Sequence, residues 1–157
     1  MYKPAPIGEW QEAWLRSLES GVHKQTRSVL SRKVKNGWAH CCLGIVCQVA
    51  ITNGVKIRVE VLSDVAKYRG HYESLPNSEI KRFGFLDETG KISTSFLHNL
   101  MSDKGITEDE FSALLKEFLK LSGGYQSLAA MNDNGKTFKQ IARFVRRFPR
   151  AVFTETK

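Results

Sequence analysis

Apolar residues recur along most of this chain at one of two periods, but one stretch is apolar on every side. In His40-Cys41-Cys42-Leu43-Gly44-Ile45-Val46-Cys47-Gln48-Val49-Ala50, the positions Leu43, Val46, Cys47 and Ala50 follow the i, i+3, i+4, i+7 spacing of one helical face. Cys42, Ile45 and Val49 make the remaining sides apolar too, so no face prefers water. The segment predicts a helix over 41–53, enclosed by the rest of the molecule and capped by Asn53-Gly54. Around it stand amphipathic patterns. Trp10, Trp14, Leu15 and Leu18 share a face over 9–20, with Glu9 and Glu12 in the first turn and Gly21 as a stop. Thr107 and Glu110 form a capping box ahead of Phe111, Leu114, Leu115, Phe118 and Leu119, which predicts a helix over 107–121 ended by Gly123-Gly124. Thr137 and Gln140 repeat the box, and Phe138, Ile141, Ala142 and Val145 predict a helix over 137–148 that Pro149 ends. Shorter helical pieces are expected from Pro76, as first helical residue, to Phe83-Gly84, and over 127–131.

Clean alternation occurs once: Val55, Ile57, Val59 and Val61 against Lys56, Arg58 and Glu60 predict a half-buried strand over 55–61. Residues 27–35 and those from Trp38 read as two short strands joined at Asn36-Gly37. Asp87-Glu88-Thr89-Gly90 reads as a turn between short strands ending at Leu86 and beginning at Ile92. Residues 63–70 lose their period, and Tyr68-Arg69-Gly70-His71-Tyr72 reads as a surface loop whose interleaved aromatic and basic side chains suit nucleotides or plain solvent. The sum is an α+β single domain over 1–157: a buried central helix surrounded by amphipathic helices, with a small antiparallel sheet.

Three pieces of the sequence together resemble a family of small bacteriophage-encoded proteins. They are Leu18-Glu19-Ser20-Gly21 with Gln25, the helix Cys41-Cys42-Leu43-Gly44-Ile45-Val46-Cys47, and the turn Asn132-Asp133-Asn134-Gly135-Lys136-Thr137-Phe138 followed by Ile141-Ala142. The Leu75-Pro76 helix entry is similar as well. The chain departs from that pattern at Ala39-His40, where relatives tend to carry an aromatic residue before the first cysteine, and at Val46, where leucine is usual. The resemblance implies a viral accessory protein acting in the host cytoplasm on a host component, such as a defence or nucleic-acid-processing factor. It implies no reaction.

Composition narrows the partners. No apolar run approaches the roughly 20 residues that span a bilayer, and the N-terminus lacks the pattern of a secretory leader, so neither a membrane nor export is expected. The three cysteines fall within seven positions of one helix and cannot build a disulfide framework. The net charge of +8 attracts phosphates and acidic proteins alike. Its sources are clustered: Lys24, Arg27, Arg32, Lys33 and Lys35 precede the central helix, and Lys136, Lys139, Arg143, Arg146, Arg147 and Arg150 close the chain. Arg143, Arg146, Arg147 and Arg150 stand at i, i+3, i+4, i+7, opposite the apolar face of the last helix, and with Lys139 are the candidate partner-binding residues. The favoured partner is a host protein with an acidic surface; nucleic acid bound without sequence preference is the alternative. The words from Phe138 to Val145 suit the first helix of a helix-turn-helix, yet Phe148-Pro149-Arg150-Ala151 cannot serve as its recognition helix. Nothing in the sequence fixes an oligomeric state.

A competing reading is a cysteine-dependent hydrolase or transferase. Cys42 lies in the first turn of its helix, where the helix N-terminus stabilises a thiolate, and His71 or His98 with Asn132 or Asp133 supply a base and an orienter in the chain order Cys, His, Asn/Asp. The opposing reading is that buried thiols pack as small hydrophobes. No cofactor is expected. A metal is not expected either, because Cys41 and Cys42 are adjacent and Cys47 lies on the same helix, against the roughly two-to-four-residue spacing of zinc knuckles. The polar turn Asn132, Asp133, Gly135 either holds a polar ligand or fixes itself locally through Asp133, the local role being the favoured one.

Overall fold

The all-apolar segment is the innermost helix of the computed structural model, which describes residues 1–102 and 105–154. In chain order the elements are α1 (Glu9–Glu19), β1 (Lys24–Gln25), β2 (Ser31–Val34), β3 (Gly37–His40), α2 (Cys42–Thr52), β4 (Val59–Leu62), β5 (Val65–Tyr68), α3 (Asn77–Phe83), α4 (Ser95–Met101), α5 (Glu108–Ser122), α6 (Leu128–Asp133) and α7 (Phe138–Arg147). A short 3-10 helix, Pro149–Ala151, follows. The fold is α+β, as the alternation of helical and strand periods predicts. Residues 42–47, 49 and 50 are all buried, and α1, α3 and α6 pack around them.

The position of α2 is fixed at its start. Cys41 is its N-cap and donates its N–H to the Leu30 carbonyl at 3.0 Å, while its sulfur accepts the Gly44 N–H at 3.3 Å. Gly44 lies so close to that strand entry that a Cβ built there would overlap the Leu30 carbonyl oxygen. From the other side Trp14, fully buried, donates its indole N–H to the Cys42 carbonyl at 2.8 Å. A buried indole needs such a partner, and here the partner is the first residue of the central helix.

The sheet is mixed, not purely antiparallel. Its order is β1-β3-β2-β5-β4, with β1 parallel to β3 and the other neighbours antiparallel. The β2–β3 hairpin forms where expected, but Val34 pairs with Gly37, so Lys35 and Asn36 make the turn and Gly37 begins the return strand. The 55–61 strand is corrected to 59–62: Val55 and Ile57 are half-buried outside any strand, and Val59 and Val61 are exposed because β4 is the sheet edge. Residues 65–68, read as part of a loop, form β5, joined to β4 through Ser63 in the left-handed region at φ 56°. No strand flanks the Asp87–Gly90 turn; Asp87 Oδ1 instead accepts the N–H groups of Thr89 and Lys91 at 2.8 and 3.0 Å, and isolated bridges join Phe85 to Phe153 and Lys91 to Ser127. Pro76 caps α3 rather than opening it, α4 lies where no helix was expected, and α6 extends through Asn132 and Asp133.

Both capping boxes form as the sequence predicts, at Thr107 with Glu110 and at Thr137 with Gln140. The buried side of α5 is narrower than its pattern, since Leu119 stays exposed. α7 is fastened to α1 by Arg146, whose guanidinium donates to Glu12 at 2.8 and 2.9 Å and to Glu19 at 2.6 and 2.9 Å. Arg147 pairs with Glu117 of α5 at 2.9 Å. The hydrogen bonds from Arg146 hold the Glu12 carboxyl down from 4.5 to about 2.

Two results are expected. Gly44→Ala should cost about 3 kcal/mol in urea unfolding, the upper end of the usual overpacking cost, because the clash is with backbone and not with the end of a flexible side chain. A carboxylate whose folded pKa lies below its unfolded value contributes stability above the unfolded value and loses it as pH falls through the folded one. The stability gap between wild type and Arg146→Met should therefore be full above pH 4.5 and close as pH falls towards about 2. A gap unchanged across that window would show that the pair contributes nothing.

Candidate functional site

The three motifs of the sequence meet at one buried side chain. Asn132, at the end of α6, accepts through Oδ1 from Gln25 Nε2 at 2.8 Å and from the Cys42 N–H at 3.1 Å. Its Nδ2 donates to the Thr26 carbonyl at 2.8 Å and to Asp133 Oδ1 at 3.3 Å. A carboxamide has two acceptor sites and two donors, and all four are occupied. Asp133 Oδ1 also accepts the Ser28 N–H at 2.8 Å, and Gln25 Nε2 reaches the Lys136 carbonyl at 2.8 Å. The polar turn thus fixes the segment 25–28 and the start of α2 at long range, beyond the local role favoured from sequence.

The catalytic candidates are not assembled. Cys42 is fully buried, its Sγ directed at the Leu128 carbonyl at 3.6 Å. Burial pushes its thiol well above the ordinary range, and the nearby Cys41 and Asp133 push the same way. The helix N-terminus does not offset this, because desolvation of a thiolate outweighs a partial charge. His98 is exposed on α4, and His71 sits half-buried in a bridge with Tyr68; among the described residues neither is hydrogen-bonded to Cys42. Burial likewise lifts Cys41 to about 11 and raises Cys47, which also feels the Glu79 carboxylate. The correction is physical: the order Cys, His, Asp along a chain carries no distance.

The cations divide into two sets. Arg146 and Arg147 are spent on Glu12, Glu19 and Glu117, so the stripe proposed from their spacing is broken at its centre. Arg143 is exposed but lines a shallow cleft of about 380 Å³ with Glu19 and Glu117. Lys139 and Arg150 are exposed. The Asn132 junction adds what spacing could not show. It holds 24–28 against the entry to α7, so that the Arg27 guanidinium lies 3.4 Å from where a Gly135 Cβ would stand. Exposed Arg27 thereby lies against the turn that carries half-buried Lys136 and leads to exposed Lys139, whereas Lys24, next to Gln25 on β1, turns to the opposite face of the strand. Asp133, the acid among them, is turned into the Ser28 N–H.

A second feature lies on the sheet. Ser31 Oγ is 2.6 Å from His40 Nδ1 and 2.7 Å from the Tyr68 hydroxyl, which accepts from Gln48 Nε2 of α2 at 2.7 Å. This network floors a recess of about 300 Å³ walled by Trp38, Val59 and Val61. Burial, with His23 beside it, holds His40 down at about 4, so the imidazole is neutral at pH 7. Ser31 and Gln48 were not singled out from sequence, His40 stood out only as a departure from the resembled pattern and Tyr68 only as part of a loop; the available signal was the pairing of Ser31 with His40 across the Lys35-Asn36 turn. The aromatic and basic stretch 68–72 is no stacking platform: Tyr68 is buried, Arg69 lies 3.3 Å from buried Glu79, and Lys67 covers the Tyr72 ring.

Among the described residues no helix is long and apolar enough to cross a membrane, and no cluster of three His, Cys, Asp or Glu side chains is placed to hold a metal ion. No curated protein and no solved structure matches the chain. A family model described as Domain of unknown function (DUF8296) matches residues 8–148, from the cap of α1 through the end of α7, which takes in Gln25, the cysteine helix and the Asn132 turn. The chain belongs to the DUF8296 family.

Proposed function

We propose that this is a phage-encoded accessory protein that binds an acidic surface on a protein of the host cytoplasm, without catalysis of its own. One observation carries the binding surface: the bonds from Gln25 to Lys136 and from Ser28 to Asp133 fold the basic segment 24–28 beside the start of α7. Arg27 then lies beside a turn more than a hundred residues away in sequence that carries Lys136 and leads to Lys139, and these three cations are the centre of the surface. Because the backbone beneath them is hydrogen-bonded and anchored to buried Asn132, part of the ordering cost of binding is already met. The phage origin rests on the resemblance, whose three motifs build this same junction. The buried, high-pKa thiols speak against the cysteine-enzyme alternative.

The test compares three proteins as bait in bacterial lysate: wild type, a variant with Arg27, Lys136 and Lys139 changed to Glu, and a control with Lys81, Lys91 and Lys116 changed to Glu. Wild type and control should capture the same acidic protein and the first variant should not. Equal loss in both would show that net charge alone drives capture and would sink the reading. Duplex DNA affinity should vanish by about 0.15 M salt; binding that survives and follows the first variant would make nucleic acid the partner. Cys42→Ser should capture as wild type does, and loss of capture with thermal stability intact would favour the enzyme.

A further inference from the structure

Strand β4 closes the sheet on one side and, among the described residues, has no neighbour beyond it. Arg69 donates its N–H to the Arg58 carbonyl at 2.8 Å, and the antiparallel register pairs Glu60 with Lys67 and Leu62 with Val65. Ladder bonds alternate along an antiparallel pair, so residues 58, 60 and 62 turn their backbone groups towards β5. The N–H and C=O groups of Val59 and Val61 therefore point outwards, to the open edge. The side chains of these two residues stand opposite Tyr68 and Ala66 on the face that carries the recess, and both are exposed. Edges of this kind are usually blunted with charge or proline; here they present two valines beside a half-buried Trp38.

Charge selects the occupant. Lys33 pairs with Trp38 on the recess face, and none of the strand residues on that face is a carboxylate. Exposed Lys56 leads into β4, while Arg58 after it is paired with Glu60 on the opposite face of the strand. Two copies of this chain, each at +8, repel one another.

We propose that the β4 edge takes up an extended, acidic segment of a partner protein as a sixth strand, with one apolar side chain of that segment seated in the recess beside Trp38. Main-chain bonds to Val59 and Val61 supply affinity, and the recess, with exposed Lys33 on its face, supplies selectivity, as in other cases of strand addition. This surface is separate from the cations at the α7 entry, so either can fail without the other.

The probe is a capped heptapeptide, Asp-Val-Asp-Phe-Asp-Val-Asp, titrated to millimolar concentration into the isotopically labelled protein. The amides of Val59 and Val61 should shift. Val61→Pro removes an outward N–H without breaking a bond to β5, and should weaken binding at least about tenfold. The peptide N-methylated on alternate residues should weaken it similarly on the unaltered protein, which keeps the test decisive if the proline variant misfolds. Trp38→Ala should also weaken it. Absence of shifts at Val59 and Val61, undiminished binding of the N-methylated peptide, or equal binding of the same peptide with Lys in place of Asp would each overturn the proposal. So would sedimentation showing that the edge is covered by a second copy of the chain.

Discussion

The carboxamide of Asn132 is where the two halves of this structure are joined. It is buried, and it bonds to groups about ninety to more than a hundred residues away in sequence: the side chain of Gln25, the carbonyl of Thr26 and the N–H of Cys42. The Cys42 N–H and the Thr26 carbonyl would otherwise be polar groups at or near the interior without a partner, at a cost of about 1–3 kcal/mol apiece. The first N–H groups of a helix have no partner within it. The enclosed position of α2 denies Cys42 water, so the all-apolar helix can lie where it does only because α6 brings an acceptor to its start. Trp14 and Leu30 complete the clamp, from the Cys42 carbonyl and the Cys41 N–H.

What could be read from the chain was what is local. The capping boxes at Thr107 and Thr137 involve residues three apart, and the apolar character of 41–50 requires burial whatever encloses it. The strand 55–61 failed because alternation says only that two faces differ; it does not say that Val59 and Val61 lie at an edge. Tyr68 was lost with β5 because the Ser63-Asp64 turn has no glycine to announce it. The parallel pairing of β1 rests on two residues and leaves no periodicity. Arg146 and Arg147 showed the right spacing for a stripe, but the acids that neutralise them come from α1 and α5, which spacing along α7 cannot reveal. Arg27 and the turn that carries Lys136 were visible only as parts of two basic segments, whose meeting depends on the Asn132 bonds.

The same junction sets the chemistry available. By drawing the start of α2 into the core it desolvates Cys41 and Cys42, which removes the thiolate that a helix N-terminus would otherwise favour. By tying 25–28 to the α7 entry it fixes Arg27 beside Gly135. His40 has its Nδ1 against Ser31 and its ring neutral, so it acts here in the floor of the sheet recess.

Amide exchange at Cys42 tests the junction most directly. A first-turn N–H without a partner exchanges quickly, whereas one held by Asn132 in the core opens only when the core does. In the wild type the Cys42 amide should exchange as slowly as the slowest amides of α2. In Asn132→Ala it should exchange orders of magnitude faster, with a fall in stability of about 2–4 kcal/mol. Fast exchange at Cys42 in the wild type, or the same rate in both proteins, would contradict the central place given to this side chain.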